Sequence, residues 1–238
     1  MNPFTEMKTE IKKIVEQKYK GTDYKENYIA FVDIMGMKSL LKSEYGVLRK
    51  IFNNIEVQLR LYNRMSISGE KSFMEQVQVS IISDSLVISI ECTENNALSK
   101  LIGFTSNIIN SALDIIDEMP IFYRGGITKG KIYHDDFCVF GPGLSRAYKL
   151  ESEIAKNFRC IFDESLLQDL QFKNYLETDH KNSTLIIDTN DNYYYINYIK
   201  NGDPSKLMKY SKQIVNGKEC EKIKDKYRWL LERLEESK

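Results

Sequence analysis

The stretch FMEQVQVSIISDSLVISIE, residues 73–91, sets how the rest of the chain is read. Apolar and polar residues alternate on both sides of a polar SDS triplet. That is the period of half-buried strands, and it predicts a hairpin with Asp84 at its tip. Upstream, YIAFVDIMGMKSLL (28–41) predicts a strand over 28–34 that carries one carboxylate, Asp33, and breaks at Gly36. A helical pattern follows as far as residue 65, then a turn over 66–72. Downstream, Leu98, Leu101, Ile102, Ile108, Ile109, Ala112 and Leu113 share one face of a helix expected over 95–118 and ended by Pro120.

Further along, IFYRGGITKGKIYHDDFCVFG (121–141) reads as a second strand pair, and PGLSRAYKLESEIAK (142–156) as a helix with Pro142 in its first turn. FRCIFDESLLQDL (158–170) reads as a strand and a short helix, and STLIIDTNDNYYYINYI (183–199) as a hairpin turning at 189–192. The aromatic run Tyr193 to Tyr195 fits a strand with aromatic faces rather than a base-stacking platform. The order β-α-α-β-β-α-β-β-α-β, with neighbouring antiparallel hairpins, predicts an α+β domain rather than a doubly wound parallel sheet. Outside it lie an N-terminal helical stripe (Met7, Ile11, Ile14, Val15) and a charged C-terminal helix with Ile223, Leu230, Leu231 and Leu234 as its apolar positions.

The chain has 238 residues, 42% of them hydrophobic and 29% charged, which is ordinary globular composition. Lys plus Arg equals Asp plus Glu at 34 each. That balance argues against a duplex-binding protein dominated by phosphate contacts and leaves room for a local basic patch. Cys92, Cys138, Cys160 and Cys220 are scattered without CxxC or CxxH spacing, so a zinc site is not expected and a reduced compartment is. His134 and His180 are too far apart to suggest a histidine-based metal or nucleophile site, and no GxxxxGK[ST] loop occurs. The RGG at 124–126 also lacks the acidic pair expected of a diguanylate cyclase signature. No apolar leader opens the sequence and no apolar run reaches the roughly 20 residues that span a bilayer. The expectation is a soluble, cytoplasmic protein with neither a membrane nor a nucleic acid as partner.

A buried unpaired carboxylate is costly, so Asp33 calls for a cation, a donor or a metal. If strand 28–34 lies beside the hairpin, Asp33 and Asp84 converge at one end of the sheet. Two hard oxygen ligands joined by a backbone carbonyl such as that of Ile34 suit Mg²⁺ or Mn²⁺. Amides of IMGMKS (34–39) at a helix start would hold phosphate oxygens. The alternative is equally physical: Asp33 caps a helix and Asp84 serves the turn. Lys38 either reaches phosphate or is a solvated helix lysine.

Four segments, FVDIMG, ISDSLVIS, RGGITKG and VFGPGLSRAYKLES, occur in the order and approximate spacing of the class III nucleotide cyclases, which this chain resembles over residues 28–170. The wording looks most like the stand-alone bacterial Pycsar-type cyclases, which make cyclic UMP or cyclic CMP as antiphage signals. The resemblance implies a ferredoxin-like, palm-type antiparallel sheet flanked by helices over 26–200, with helical extensions over 1–25 and 201–238. It implies that Asp33 and Asp84, with the Ile34 carbonyl, hold two Mg²⁺ or Mn²⁺ ions per active site, and that Gly36 and Met37 meet the nucleotide's phosphates. The base-selecting positions would be Ser80 and Cys138, neither of which matches the lysine and acidic residue of adenylate cyclases. That departure points to UTP or CTP.

The family's transition-state asparagine and arginine would fall on Ser145 and Lys149, another departure, which leaves Lys149, Arg146 and Arg124 as candidate phosphate contacts. Arg146 serves as readily as a surface or capping residue, and Arg124 as a brace for its strand. The resemblance further implies a homodimer with active sites at its interface, a nucleoside triphosphate substrate, and a cyclic-nucleotide-sensing effector downstream. The competing readings are a cyclase-like nucleotide-binding domain without turnover and an adenylate or guanylate cyclase.

Overall fold

The computed structural model describes residues 3–19, 23–42, 45–64, 72–116, 119–179 and 183–236. A ten-residue strand, β1 (Lys25–Ile34), runs through its centre. Its apolar run is buried on both faces, which only an interior strand permits. β1 pairs antiparallel with β3 (Ser85–Glu91) on one side and with β4 (Tyr123–His134) on the other. β2 (Val77–Ile82) completes the hairpin on β3. Beyond β4, β6 (Cys160–Phe162) joins in parallel, followed by β8 (Tyr194–Ile196) and β7 (Leu185–Ile187), while β5 (Val139–Phe140) folds back on β4. The sheet order is β2-β3-β1-β4-β6-β8-β7, the expected α+β arrangement.

Tyr28, Ala30, Val32 and Ile34 point to one face of the sheet, where they pack under α3 (Tyr45–Arg64) and α5 (Ala97–Ala112) in the main core. Ile29 and Phe31 point to the other face, onto Val87, Ile132 and Ala147 of α6 (Pro142–Lys149). Two glycine contacts let α6 lie this close. A Cβ on Gly126 would stand 2.4 Å from Leu150 Cβ and 2.5 Å from the Ala147 carbonyl, and one on Gly143 would stand 2.4 Å from Ile29 Cδ1. Gly126→Ala is therefore expected to lower stability by roughly 1–3 kcal/mol through overpacking. Urea denaturation checks this; a midpoint equal to wild type would show that the helix can step back freely.

Several boundaries differ from the sequence expectation. Residues 73–76 form a helical turn, α4 (Phe73–Gln76), and the strand starts at Val77. The Glu75 carboxylate accepts the Ser72 N–H at 2.6 Å, a local capping bond that outcompetes strand alternation. Helix α5 stops at Ala112, well before Pro120. The returning chain supplies donors to its last carbonyls, Ile121 N–H to Ala112 at 3.3 Å and Lys206 Nζ to Leu113 at 3.3 Å. The helix after Pro142 passes into a π-helical turn, Leu150–Ala155.

The pattern also understated the C-terminal segment. Helix α8 (Pro204–Asn216) precedes α9 (Glu221–Glu236). It opens with Pro204 at its first position and the Asp203 carboxylate accepting from the Ser205 and Lys206 N–H groups. Leu207, Trp229, Leu230 and Leu234 enter the main core, so the segment from 201 onward packs with the sheet domain. An ion cluster locks α9 to the β7–β8 turn. The Asp188 carboxylate, 1% exposed, accepts from Arg159 at 2.6 Å, Trp229 Nε1 at 3.0 Å and Arg233 at 3.4 Å. The N-terminal helix α1 (Pro3–Tyr19), in contrast, leaves Phe4, Met7, Ile11 and Ile14 exposed. Val15 and Lys38 have side chains outside the described residues, as does all of His180. No helix among the described residues is long and apolar enough to cross a membrane.

Candidate active site

Asp33 ends β1 and Asp84 sits in the two-residue turn between β2 and β3, where Ser83 takes the left-handed conformation (φ 58°). The Ile34 N–H donates to the Asp84 carbonyl at 3.0 Å, so the two aspartates are tied backbone to backbone at one end of the sheet. The expected convergence is present, and Asp33 is not a helix cap: it belongs to the strand, opposite Ser85 and Arg124. Its carboxylate receives one hydroxyl, from Ser85 at 3.3 Å, and Arg124 stands 3.9 Å away.

Arg124 is drawn instead into a tight pair with Glu151, which is 3% exposed and absent from the sequence expectations. Only the π-helical turn reveals it: the six-residue turn packs its backbone over Gly126 and brings the Glu151 carboxylate to Arg124. Burial raises the Glu151 pKa more than Arg124 lowers it. For Asp33, burial and then the like charges of Glu151 and Asp84 outweigh Arg124 and Ser85, pushing its pKa up to about 6. A cation on α9 completes the neighbourhood. Lys226 is half-buried, its pKa lowered by burial and then by Arg124 and Lys222, while Asp33 and Glu151 pull it back up.

An aspartate whose pKa rises on folding opposes folding once ionised. The native chain keeps the Asp33 proton to about pH 6, whereas the unfolded chain releases it near 3.8. Stability therefore falls as pH rises through that window and stays lower above it. In chelator, Asp33→Asn is expected to stabilise the protein at pH 7.5 by roughly 1–3 kcal/mol, with the gain vanishing below about pH 4. Urea titrations at a series of pH values measure this; a less stable variant at pH 7.5 would mean that the carboxylate is held by partners rather than stressed.

The turn after Asp33 has Gly36 at φ 80°, and Met35 N–H donates to the Phe122 carbonyl at 2.9 Å. The following helix, α2 (Met37–Leu40), is a single turn. Four peptide units align little dipole, so attraction for an anion near Gly36 and Met37 has to come from charged side chains.

The remaining candidates lie elsewhere in the same chain. Arg146 forks onto Asp163 at 2.7 and 2.9 Å, and Thr128 also donates to that carboxylate, so Arg146 braces β4 against the residue after β6. Thr128 is four residues along β4 from Arg124, roughly 13 Å at strand spacing. Ser145 is exposed and bonds back to the Gly141 carbonyl at 3.4 Å; Lys149, also exposed, stands 3.8 Å from Glu153. Ser80 is half-buried and its hydroxyl pairs with His134 Nε2 at 2.9 Å, while His134 Nδ1 pairs with Ser89 at 2.8 Å. Burial pushes the His134 pKa down to about 4, so the imidazole between the two serines is neutral at pH 7. Cys138 lies in the β4–β5 turn, its N–H on Asp135 at 2.8 Å.

The residues fit a hard divalent cation. Asp33 and Asp84 supply adjacent carboxylates, and burial followed by the charges of Glu151 and Asp84 disfavours the ionised form of Asp33, a cost that a bound cation would offset. No group of three His, Cys, Asp or Glu side chains gathers at metal-binding distance among the described residues. The remaining positions around an ion would then fall to backbone carbonyl, phosphate and water oxygens, as suits Mg²⁺.

No protein-family model matches the sequence, and no curated protein matches it. Among solved structures, the catalytic core of a rhodopsin-guanylyl cyclase with converted specificity, in complex with ATPalphaS, aligns with a TM-score of 0.51 at 13% identity. The alignment covers 74% of this chain and 96% of that one. The fold is that of a class III cyclase catalytic domain. The adenylyl cyclase CyaB from P. aeruginosa aligns more loosely, with a TM-score of 0.47 at 13% identity over 72% of this chain and 93% of that one. At such identity the likeness concerns the course of the backbone within this cyclase fold, and the chemistry has to be argued from the side chains.

Proposed function

We propose that the chain is a nucleotide cyclase that converts UTP or CTP to the 3′,5′-cyclic monophosphate and pyrophosphate. The observation that carries the reading is the pairing of Asp33 and Asp84, 51 positions apart, at one end of a sheet with the cyclase fold. Asp33, Asp84 and the Ile34 carbonyl would hold Mg²⁺ or Mn²⁺, which when bound lowers the pKa of the ribose 3′-hydroxyl and offsets charge on the phosphates. Attack of O3′ on the α-phosphorus forms one P–O bond and breaks the bond to the β-phosphate bridge. The hydroxyl proton leaves to solvent and the electron pair leaves on pyrophosphate. The spread negative charge of that transition state favours nearby fixed cations, and Arg124 is the arginine beside Asp33.

Preference for a pyrimidine is supported by the small neutral groups at positions 80 and 138. Ser80, whose hydroxyl is oriented by the neutral His134, offers a short uncharged group to a base carbonyl or amine, where a lysine would favour adenine nitrogens. The solved neighbour in complex with ATPalphaS favours a second reading, a purine cyclase. Separation of Ser145 and Arg146 from the aspartates within one chain supports a homodimer whose sites draw on both subunits. The product would act as a signal read by a separate cyclic-nucleotide-sensing effector.

Purified protein with Mn²⁺ and each of ATP, GTP, CTP and UTP decides among these. Equimolar cyclic UMP or cyclic CMP and pyrophosphate is the expected result. ATP as the sole good substrate would overturn the pyrimidine assignment, and the absence of cyclic product from all four would overturn the enzyme.

A further inference from the structure

Helix α9 carries Lys222 and Lys226 one turn apart, on a single face. Across from them stand Arg124 on β4 and Lys156 at the end of the π-helical turn, and the four cations wall a recess of about 420 Å³. The acids on the same wall are committed elsewhere: Glu153 stands 3.8 Å from Lys149, and Asp225 accepts from Arg228 at 2.5 Å. Lys156, Lys222 and Lys226 make no ion pair within 4 Å among the described residues. Arg124 is already paired with Glu151, and the three lysines gathered beside it on a concave surface repel one another unless a further anion shares it.

The recess also points somewhere. Lys226 lines a second cleft, of about 310 Å³, together with Met35, Gly36 and Leu40. One lysine thus borders both the turn after Asp33 and the basic recess. This stretch of α9 is held against the domain, because Tyr227 packs edge-on against Phe122 and Phe158, with centroids 5.9 and 4.8 Å away.

We infer that the recess formed by Lys222 and Lys226 of α9 with Arg124 and Lys156 is a polyphosphate subsite, which takes the β- and γ-phosphates of the nucleotide and the departing pyrophosphate. This rests on the cyclase reading for its link to turnover. The recess supplies in the same chain the phosphate cation that Arg146, held by Asp163, does not. The lysines would bind as compact point charges, so arginine at 226 should serve nearly as well.

Isothermal titration of the full chain with inorganic tripolyphosphate, in chelator, tests the subsite without requiring turnover. Wild type is expected to bind, with affinity falling as salt rises. K222Q/K226Q is expected to bind at least about tenfold more weakly, and K226R to bind nearly as wild type. Circular dichroism and melting temperature of each variant report that α9 remains folded. Equal affinity of wild type and K222Q/K226Q, or no binding by wild type, would overturn the inference. Turnover separates it from the function itself. A cyclase whose nucleotide KM ignores K222Q/K226Q retains the function and loses the subsite. Lysine-dependent tripolyphosphate binding without cyclic product from any nucleotide retains the subsite and loses the function.

Discussion

Asp84→Ala is expected to lose at least about 10²–10³-fold in kcat for cyclic nucleotide formation, with no loss of stability. The structural role of position 84 is carried by its backbone: the carbonyl accepts the Ile34 N–H and closes the turn. Its carboxylate raises the Asp33 pKa, so removing it relieves a repulsion inside the folded chain. A functional loss in a protein that melts no earlier than wild type is therefore the signature of a ligand rather than a turn residue. Unchanged turnover would remove the two-aspartate metal site. The same variant examines the shared dimer site. Mixed one to one with a Ser145→Ala/Lys149→Ala chain, it should recover about a quarter of wild-type activity, since half the dimers are mixed and each holds one complete site. No recovery after subunit exchange would place the helix contacts and the aspartates in separate roles.

Asp188→Ala carries the largest expected cost to stability, about 3–5 kcal/mol. Asp188 is 1% exposed and faces Arg159 and Arg233, themselves 3% and 7% exposed, together with the Trp229 indole. Truncation takes one carboxylate from two buried guanidinium groups, of which Arg159 keeps Asp191 and Arg233 keeps Thr189 and Glu236, and it leaves the buried indole N–H unpaired. The urea midpoint should fall accordingly. The exposed pair between Lys25 and Glu91, with side chains 66% and 37% exposed, offers the contrast: Lys25→Ala should change stability by no more than about 1 kcal/mol. Comparable effects at the two sites would mean that the Asp188 cluster is hydrated in solution.

The central sheet was legible in the sequence because its evidence is local. Alternation around residues 83–85 and the apolar run before Asp33 each fit within a dozen positions, and pairing β1 beside β3 brings the aspartates together. The inward turn of Glu151 was hidden because nothing in residues 142–156, which read as a regular α-helix, announces the π-helical turn that brings this residue to Arg124. Lys226 was hidden for a different reason. It reads as one charge among many on a polar helix, and only the packing of α9 through Tyr227 on Phe122 and Phe158 brings it to the cleft it shares with Met35 and Gly36. Arg159 and Asp188, separated by 29 positions, carry no pattern that declares them partners. Pro120 misled because a helix can stop where returning chain satisfies its carbonyls, with no proline required. Helix α8, by comparison, had a readable start in Asp203-Pro204 that outranks its weak apolar stripe.

Trp229 and Arg233 seat α9 in the core, and Lys226 lies less than one turn before Trp229 on that helix. Anchor and anion contact thus share a rigid rod, so the order in which the molecule comes apart has chemical meaning. Sub-global opening that releases α9 from the β7–β8 turn would leave the pairing of β1 with β3 and β4 closed. In that partly open form the two aspartates keep their places while Lys222 and Lys226 drift from theirs, and a chain with a native-looking sheet has already lost its grip on polyphosphate.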